Sequence, residues 1–252
     1  MKKLKDYYDR FKSLNPQYSG IKLGIIVAVI VYFVARIFFV VEISRDMIIS
    51  LAVFVISMTF HEVAHGYVAY KFGDNTAKMN GRITLNPLKH IDLTGIILPI
   101  LILLSGFKFL VGWAKPVPVN PYNYKNEKLG NITVSLAGIT FNLISAFIFV
   151  MIYKYSSQWQ ILGFVDQESM LMVTRSLVMY NVGFAAFNIL PIPPLDGWSL
   201  LSTFLPRELV YRAYEYSRYT FLLFVFLIMT NILGFILNPI YSAFFNLVTI
   251  FI

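Results

Sequence analysis

No cysteine occurs in this 252-residue chain, so a disulfide framework and thiol catalysis are both excluded. Charge is scarce, at 13% of residues, and acid is scarcer than base, with 13 Asp and Glu against 21 Lys and Arg. No polar stretch is long enough to fold as a separate domain. Hydrophobic residues reach 58%, which removes the chain from the ordinary soluble class. Histidine appears only three times, and two of the three stand four residues apart at 61 and 65.

What fills the chain instead is a series of apolar runs of about 20 residues, the length that crosses ~30 Å of hydrocarbon. The net charge of +8 does not indicate nucleic acid, because Lys and Arg flank these runs. That distribution is the one by which membrane proteins set their orientation. Lys2, Lys3, Lys5, Arg10, Lys12 and Lys22 place the N-terminus in the cytoplasm, and 21–41 is long enough to remain as a span rather than a cleaved signal. Span 47–70 returns inward. Run 94–111 contains Pro99, Gly106 and Lys108 and has basic residues on both sides. It reads as a re-entrant segment with both ends cytoplasmic, and a full crossing is the alternative. Spans 131–153, 170–190 and 220–237 follow. Asn238-Pro239 is expected to break the last of these, leaving 241–252 as a short final helix, tilted or interfacial.

Residues 61–65 read His-Glu-Val-Ala-His, inside the second span. On a helix His61 and His65 share one face, so both imidazoles reach one ion, and Glu62 is suited to take a proton from bound water. Ionisable groups at membrane depth are costly and mark function by default. A catalytic zinc wants a third protein ligand. With only His90 left among the histidines, that ligand should be a carboxylate, and Asp196 in NILPIPPLDGW is the best placed. Pro191, Pro193 and Pro194 must end the preceding span, since proline removes backbone donors. Irregular backbone at this depth belongs in a buried or wet cavity. A plain helix N-cap at Asp196 is the competing reading. His90 reads as structural rather than as a ligand.

The chain resembles the site-2 proteases, intramembrane zinc metalloproteases, in the compact form without PDZ or CBS domains. The resemblance rests on HEVAH at 61–65, GDNTAKMNGRITLNPLKHID at 73–92, GWAKPVPVNP at 112–121, LAGITFN at 136–142 and FNILPIPPLDG at 187–197. From first to last these blocks span about half the chain, in the family's order. The resemblance implies that His61, His65 and Asp196 bind one Zn2+ and that Glu62 activates water. It also implies that Asn142 positions substrate or stabilises the oxyanion; read alone, Asn142 is interhelical hydrogen-bond glue. Ile139 stands where the family writes proline, which predicts a local change at helix entry rather than lost activity. Block 81–85, GRITL, is expected to form a small β-element near the active site whose edge pairs with an unwound substrate.

The expected fold class is therefore an all-α polytopic membrane protein. It has about six transmembrane helices, a re-entrant segment and that β-element. A basic cytoplasmic arm occupies 1–20 and a single metalloprotease domain 21–252, with its catalytic core at about 47–205. The expected activity is hydrolysis of peptide bonds within or near transmembrane segments of membrane-protein substrates, in a prokaryotic cell membrane. A regulatory membrane partner would help to set substrate choice. The rival classes are an intramembrane zinc transporter, disfavoured by Glu62 beside a single site, a CAAX-type zincin, which would need a later intramembrane glutamate, and an inactive scaffold.

Overall fold

A computed structural model describes residues 45–92, 115–156 and 167–250, with Gly95 and isolated positions within 24–32. The chain divides into two units. One comprises Met1–Ser44 and Leu98–Val111, of which only the isolated positions within 24–32 are described, and these are helical. The other comprises Arg45–Ile97 and Gly112–Ile252 and carries everything below. The expected basic arm 1–20, most of span 21–41 and the re-entrant run 94–111 apart from Gly95 fall outside the described residues.

Among the described residues every regular element is helical and there is no strand. Helix α1 is Arg45–Lys71, α2 the single turn Thr76–Met79, α3 Glu127–Ser156 and α4 Gln167–Asn188. They are followed by α5 (Asp196–Ser202), α6 (Arg207–Tyr216), α7 (Thr220–Met229) and α8 (Ile232–Thr249). Helices α1, α3, α4 and α8 are long and apolar enough to cross a membrane, four candidate spans among the described residues. The protein is an integral membrane protein. With 27 residues α1 is about 40 Å long, more than a ~30 Å core requires.

Helices α1, α3 and α4 pack against one another as a central trio, with α5 and α8 added to it. Ala146 and Val150 of α3 meet Val178 and Val182 of α4 and Val248 of α8 in a buried cluster. Ile144 and Ile148 point outward from α3, half exposed, as lipid-facing positions must.

Three expectations need correction. The run 220–237 is not one helix: α7 stops at Met229 and α8 starts at Ile232, with Asn231 between them in the left-handed region at φ +58. Asparagine tolerates that conformation, so it supplies the break. Pro239 instead sits inside α8, which continues to Thr249. Block 81–85 is bent and has no ladder partner among the described residues. The reason is local. Gly81, at φ +61, closes α2, with Gly81 N–H bonding Lys78 O at 3.0 Å and Arg82 N–H bonding Ala77 O at 2.9 Å. Gly73, at φ +109, closes α1 in the same way, through Gly73 N–H to Tyr70 O at 3.1 Å and Asp74 N–H to Ala69 O at 3.0 Å. Both are Schellman stops, which favour glycine because no Cβ opposes the positive φ. They turn Asp74 and Arg82 inward, and both side chains are buried.

Candidate metal centre

The HEVAH turn of α1 faces α3 and α5. His61 Nε2 is 3.1 Å from His65 Nε2 and 3.1 Å from Asp196 Oδ2, and His65 Nε2 is 3.3 Å from the same oxygen. Among the described residues these form the group of His, Asp and Glu able to hold an ion, with ligand atoms within 4.8 Å of one another. His90 is not among them. It is buried, with Nε2 2.8 Å from Thr84 O, and burial, the largest influence, holds its imidazole below the ordinary value.

Sequence explains how Asp196 gets there. Helix α4 ends at Asn188, the proline cluster carries the chain through turns, and α5 begins at Asp196 itself. Asp196 is not a cap: the N-cap residue is Leu195, with no side-chain cap bond. Gly197 lets α5 fold back onto the end of α4, where a Cβ would collide with Ile189 O. Opposite, Gly138 of α3 opens the space for the imidazoles: a Cβ there would stand 2.5 Å from His65 Nε2 and 2.6 Å from His61 Nδ1.

The outer nitrogens are fixed. His65 Nδ1 is 2.7 Å from Val134 O, an acceptor only, so Nδ1 carries the hydrogen. His61 Nδ1 is 2.6 Å from Asn142 Oδ1. As neutral rings of this tautomer, both histidines present an Nε2 lone pair toward Asp196 Oδ2, which is buried and has no hydrogen-bond donor. Three acceptors meeting with no donor between them are reconciled by a cation. A tetrahedral zinc with bonds of about 2.0–2.1 Å sets its ligand atoms about 3.3–3.4 Å apart, close to the spacing found. The donor set fits zinc.

Glu62 follows His61 on the same helix, and its Oε2 accepts the Val117 N–H at 2.8 Å. Val117 belongs to an extended strap, 115–120, laid across α1. Arg82 Nη2 donates to Lys115 O at 2.6 Å, and Lys115 N–H bonds His90 O at 2.9 Å. Asp74 holds the other end, accepting Asn120 N–H at 2.7 Å and the Asn123 amide at 2.9 Å. Thr76 adds its N–H at 3.0 Å and its hydroxyl at 2.5 Å. Burial pushes the Asp74 carboxyl up, but the bonds from Asn123, Thr76 and Asn120 outweigh it and leave the group below its usual value.

Asn142 is wholly buried, and both ends of its amide are engaged, Oδ1 with His61 and Nδ2 with Asn181 Oδ1 at 2.7 Å. Ile139, in the family's proline position, is buried in an unbroken α3. Sequence reasoning missed Gly138, Asn181, Ser57, Val117 and Asp74. Asn181 and Ser57 had a signal, being polar residues within apolar spans. Val117 acts through its backbone and had none.

A relative named "Putative zinc metalloprotease YwhC" from Bacillus subtilis (strain 168) is 39% identical over 195 residues, 75% of this chain and 84% of the relative. "Putative zinc metalloprotease Rip2" from Mycolicibacterium smegmatis is 29% identical over 194 residues, 74% of this chain and 69% of the relative. Its namesake from Mycobacterium tuberculosis (H37Rv) is 28% identical over 163 residues, 64% of this chain and 59% of that protein. No protein-family profile and no solved structure matches the chain. Sequence likeness of this extent, over most of the length of YwhC, places the chain in the zinc metalloprotease family that YwhC represents.

Proposed function

We propose that the protein is a zinc metalloendopeptidase of the site-2 type, which hydrolyses peptide bonds within or near the transmembrane segments of membrane-protein substrates. The observation that carries the reading is the convergence of Asp196 of α5 on His61 and His65, which stand with Glu62 on a helix long and apolar enough to span the membrane. Zn2+ is the cofactor, with His61, His65 and Asp196 as its ligands, and it supplies the Lewis acidity that polarises a carbonyl and acidifies water.

The remaining work falls to the chain. Glu62 takes a proton from the attacking water and passes it to the leaving amine, a general-base and general-acid role worth about 10²–10⁴-fold. Its carboxylate has two oxygens. The Val117 N–H occupies Oε2, which fixes the rotamer and leaves the other oxygen for the water. The two imidazoles lie against Gly138 of α3, with side chains only 8% and 12% exposed, which keeps bulk solvent from that side. A substrate helix must unwind to expose its amide, because its backbone groups are otherwise paired internally.

The catalytic core occupies about 47–205, in a prokaryotic cell membrane. The basic arm with Lys2, Lys3 and Lys5 sets the N-terminus in the cytoplasm. Substrate choice rests with the membrane segments or with a regulatory membrane partner. Co-expression with a panel of single-span membrane proteins tests the reading. Wild type should yield a cleavage product that Glu62→Gln does not, while the variant keeps its zinc. Zinc flux in proteoliposomes, undiminished by Glu62→Gln and with no cleavage by wild type, would establish transport instead.

A further inference from the structure

Three buried polar side chains stand behind the centre, and the proposed mechanism uses none of them directly. Asn142, Asn181 and Ser57 come from α3, α4 and α1 and are 0%, 1% and 0% exposed. Such groups at membrane depth must satisfy one another, since no water or lipid partner is on offer. They do so in one continuous chain. Asn181 Nδ2 donates to Leu177 O at 2.8 Å and to Ser57 Oγ at 3.0 Å. Asn142 Nδ2 donates to Asn181 Oδ1 at 2.7 Å, and His61 Nδ1 meets Asn142 Oδ1 at 2.6 Å.

The direction of this chain is not free. An asparagine amide and an imidazole can each be turned over, and each reversal exchanges donor for acceptor. Leu177 O, however, is a backbone carbonyl and only accepts. It therefore requires the amide nitrogen of Asn181, which leaves the Asn181 oxygen facing Asn142. That oxygen in turn requires the Asn142 nitrogen, which turns the Asn142 oxygen to His61. His61 must then carry a hydrogen on Nδ1, and the neutral ring keeps Nε2 bare. A carbonyl one turn back on α4 thus dictates which ring nitrogen of His61 can bind an ion. His65 reaches the same state in a single step through Val134 O.

We infer that Asn181, supported by Ser57, is a positioning residue that orients His61 and fixes its tautomer through Asn142. On this account Asn142 is a positioning residue too, since its wholly buried amide is engaged by His61 at one end and by Asn181 at the other. The inference rests on the ligand assignment above. Partners of this kind behind a ligating histidine are typically worth about 10–100-fold in metal affinity.

Zinc affinity of the purified full-length protein, measured by competition with a chromophoric chelator, tests this without any substrate. Asn181→Ala should raise the zinc dissociation constant by about 10–100-fold. Introducing it into an Asn142→Ala background should add little, because the two act in series. Ser57→Ala, which spares the Leu177 bond, should have a smaller effect. In wild type loaded with zinc, the His61 Nδ1–H should give a slowly exchanging, downfield proton resonance that Asn181→Ala shifts or removes. A change in packing alone would leave that proton in place. If Asn181→Ala does not accumulate as folded protein, Asn181→Ser, too short to reach Asn142, carries the same expectation. Wild-type affinity and an unmoved proton in the variant, or fully additive losses in the double variant, would overturn the relay. A wild type unable to bind zinc would overturn the ligand assignment instead.

Discussion

Gly138→Ala gives the sharpest separation between packing and chemistry in this molecule. A Cβ at 138 would lie 2.5 Å from His65 Nε2 and 2.6 Å from His61 Nδ1, where ordinary contact is about 3.5 Å. Relief therefore needs a displacement of about 1 Å. The nearest atoms to that methyl belong to the two imidazoles, so the rings must give way. A 1 Å shift is half of a zinc–nitrogen bond of about 2.0–2.1 Å, and it would take at least one ligand out of range. Zinc affinity should fall by more than the ~10–100-fold that loss of an outer partner costs. Helix stability moves the other way. Alanine is better than glycine within a helix by about 1 kcal/mol, which offsets part of the ~1–3 kcal/mol overpacking cost in the metal-free protein. Zinc content by mass spectrometry, together with unfolding of the chelator-treated protein, reads both effects. A variant that binds zinc as wild type does would refute the argument, because it would mean the rings do not sit against α3.

The strap supplies two more tests. Asp74→Asn replaces a buried carboxylate that accepts four bonds, and should cost about 2–3 kcal/mol at pH 7. Because the folded carboxyl sits below its usual value, that contribution is complete above about pH 4 and fades as pH falls through the folded value. Denaturant unfolding of wild type and variant should show the gap closing in acid, and a gap that widens there would be fatal to the assignment. Val117→Pro deletes the N–H that Glu62 accepts, a charge-assisted bond worth about 1.5–3 kcal/mol. Cleavage should fall about 10–100-fold with zinc content unchanged; a loss of zinc would show instead that the strap shapes the ligands.

Much of this was legible in the sequence because the physics is local. Four-residue spacing places His61 and His65 on one face of any helix, and long, mostly apolar runs announce α1, α3 and α4. Asp196 could be named by elimination, although its approach depends on Gly197 meeting Ile189 O, a contact between elements that no pattern encodes. Residues 230–239 misled for an instructive reason. Proline is the stronger breaker by propensity, yet Asn231 took the left-handed turn and Pro239 was absorbed by α8. GRITL has strand-forming side chains, but Gly81 had already been claimed by the end of α2. The strap stayed hidden because its key donor is a peptide N–H, which every residue except proline possesses.

Asp196 is encoded far behind the histidines, more than half the chain later, and α4 and α5 must both be in place before its oxygen can meet their nitrogens. During synthesis the first part of the protein enters the bilayer with two imidazoles and no carboxylate to complete them. The cluster is therefore assembled only when the last third of the polypeptide has docked.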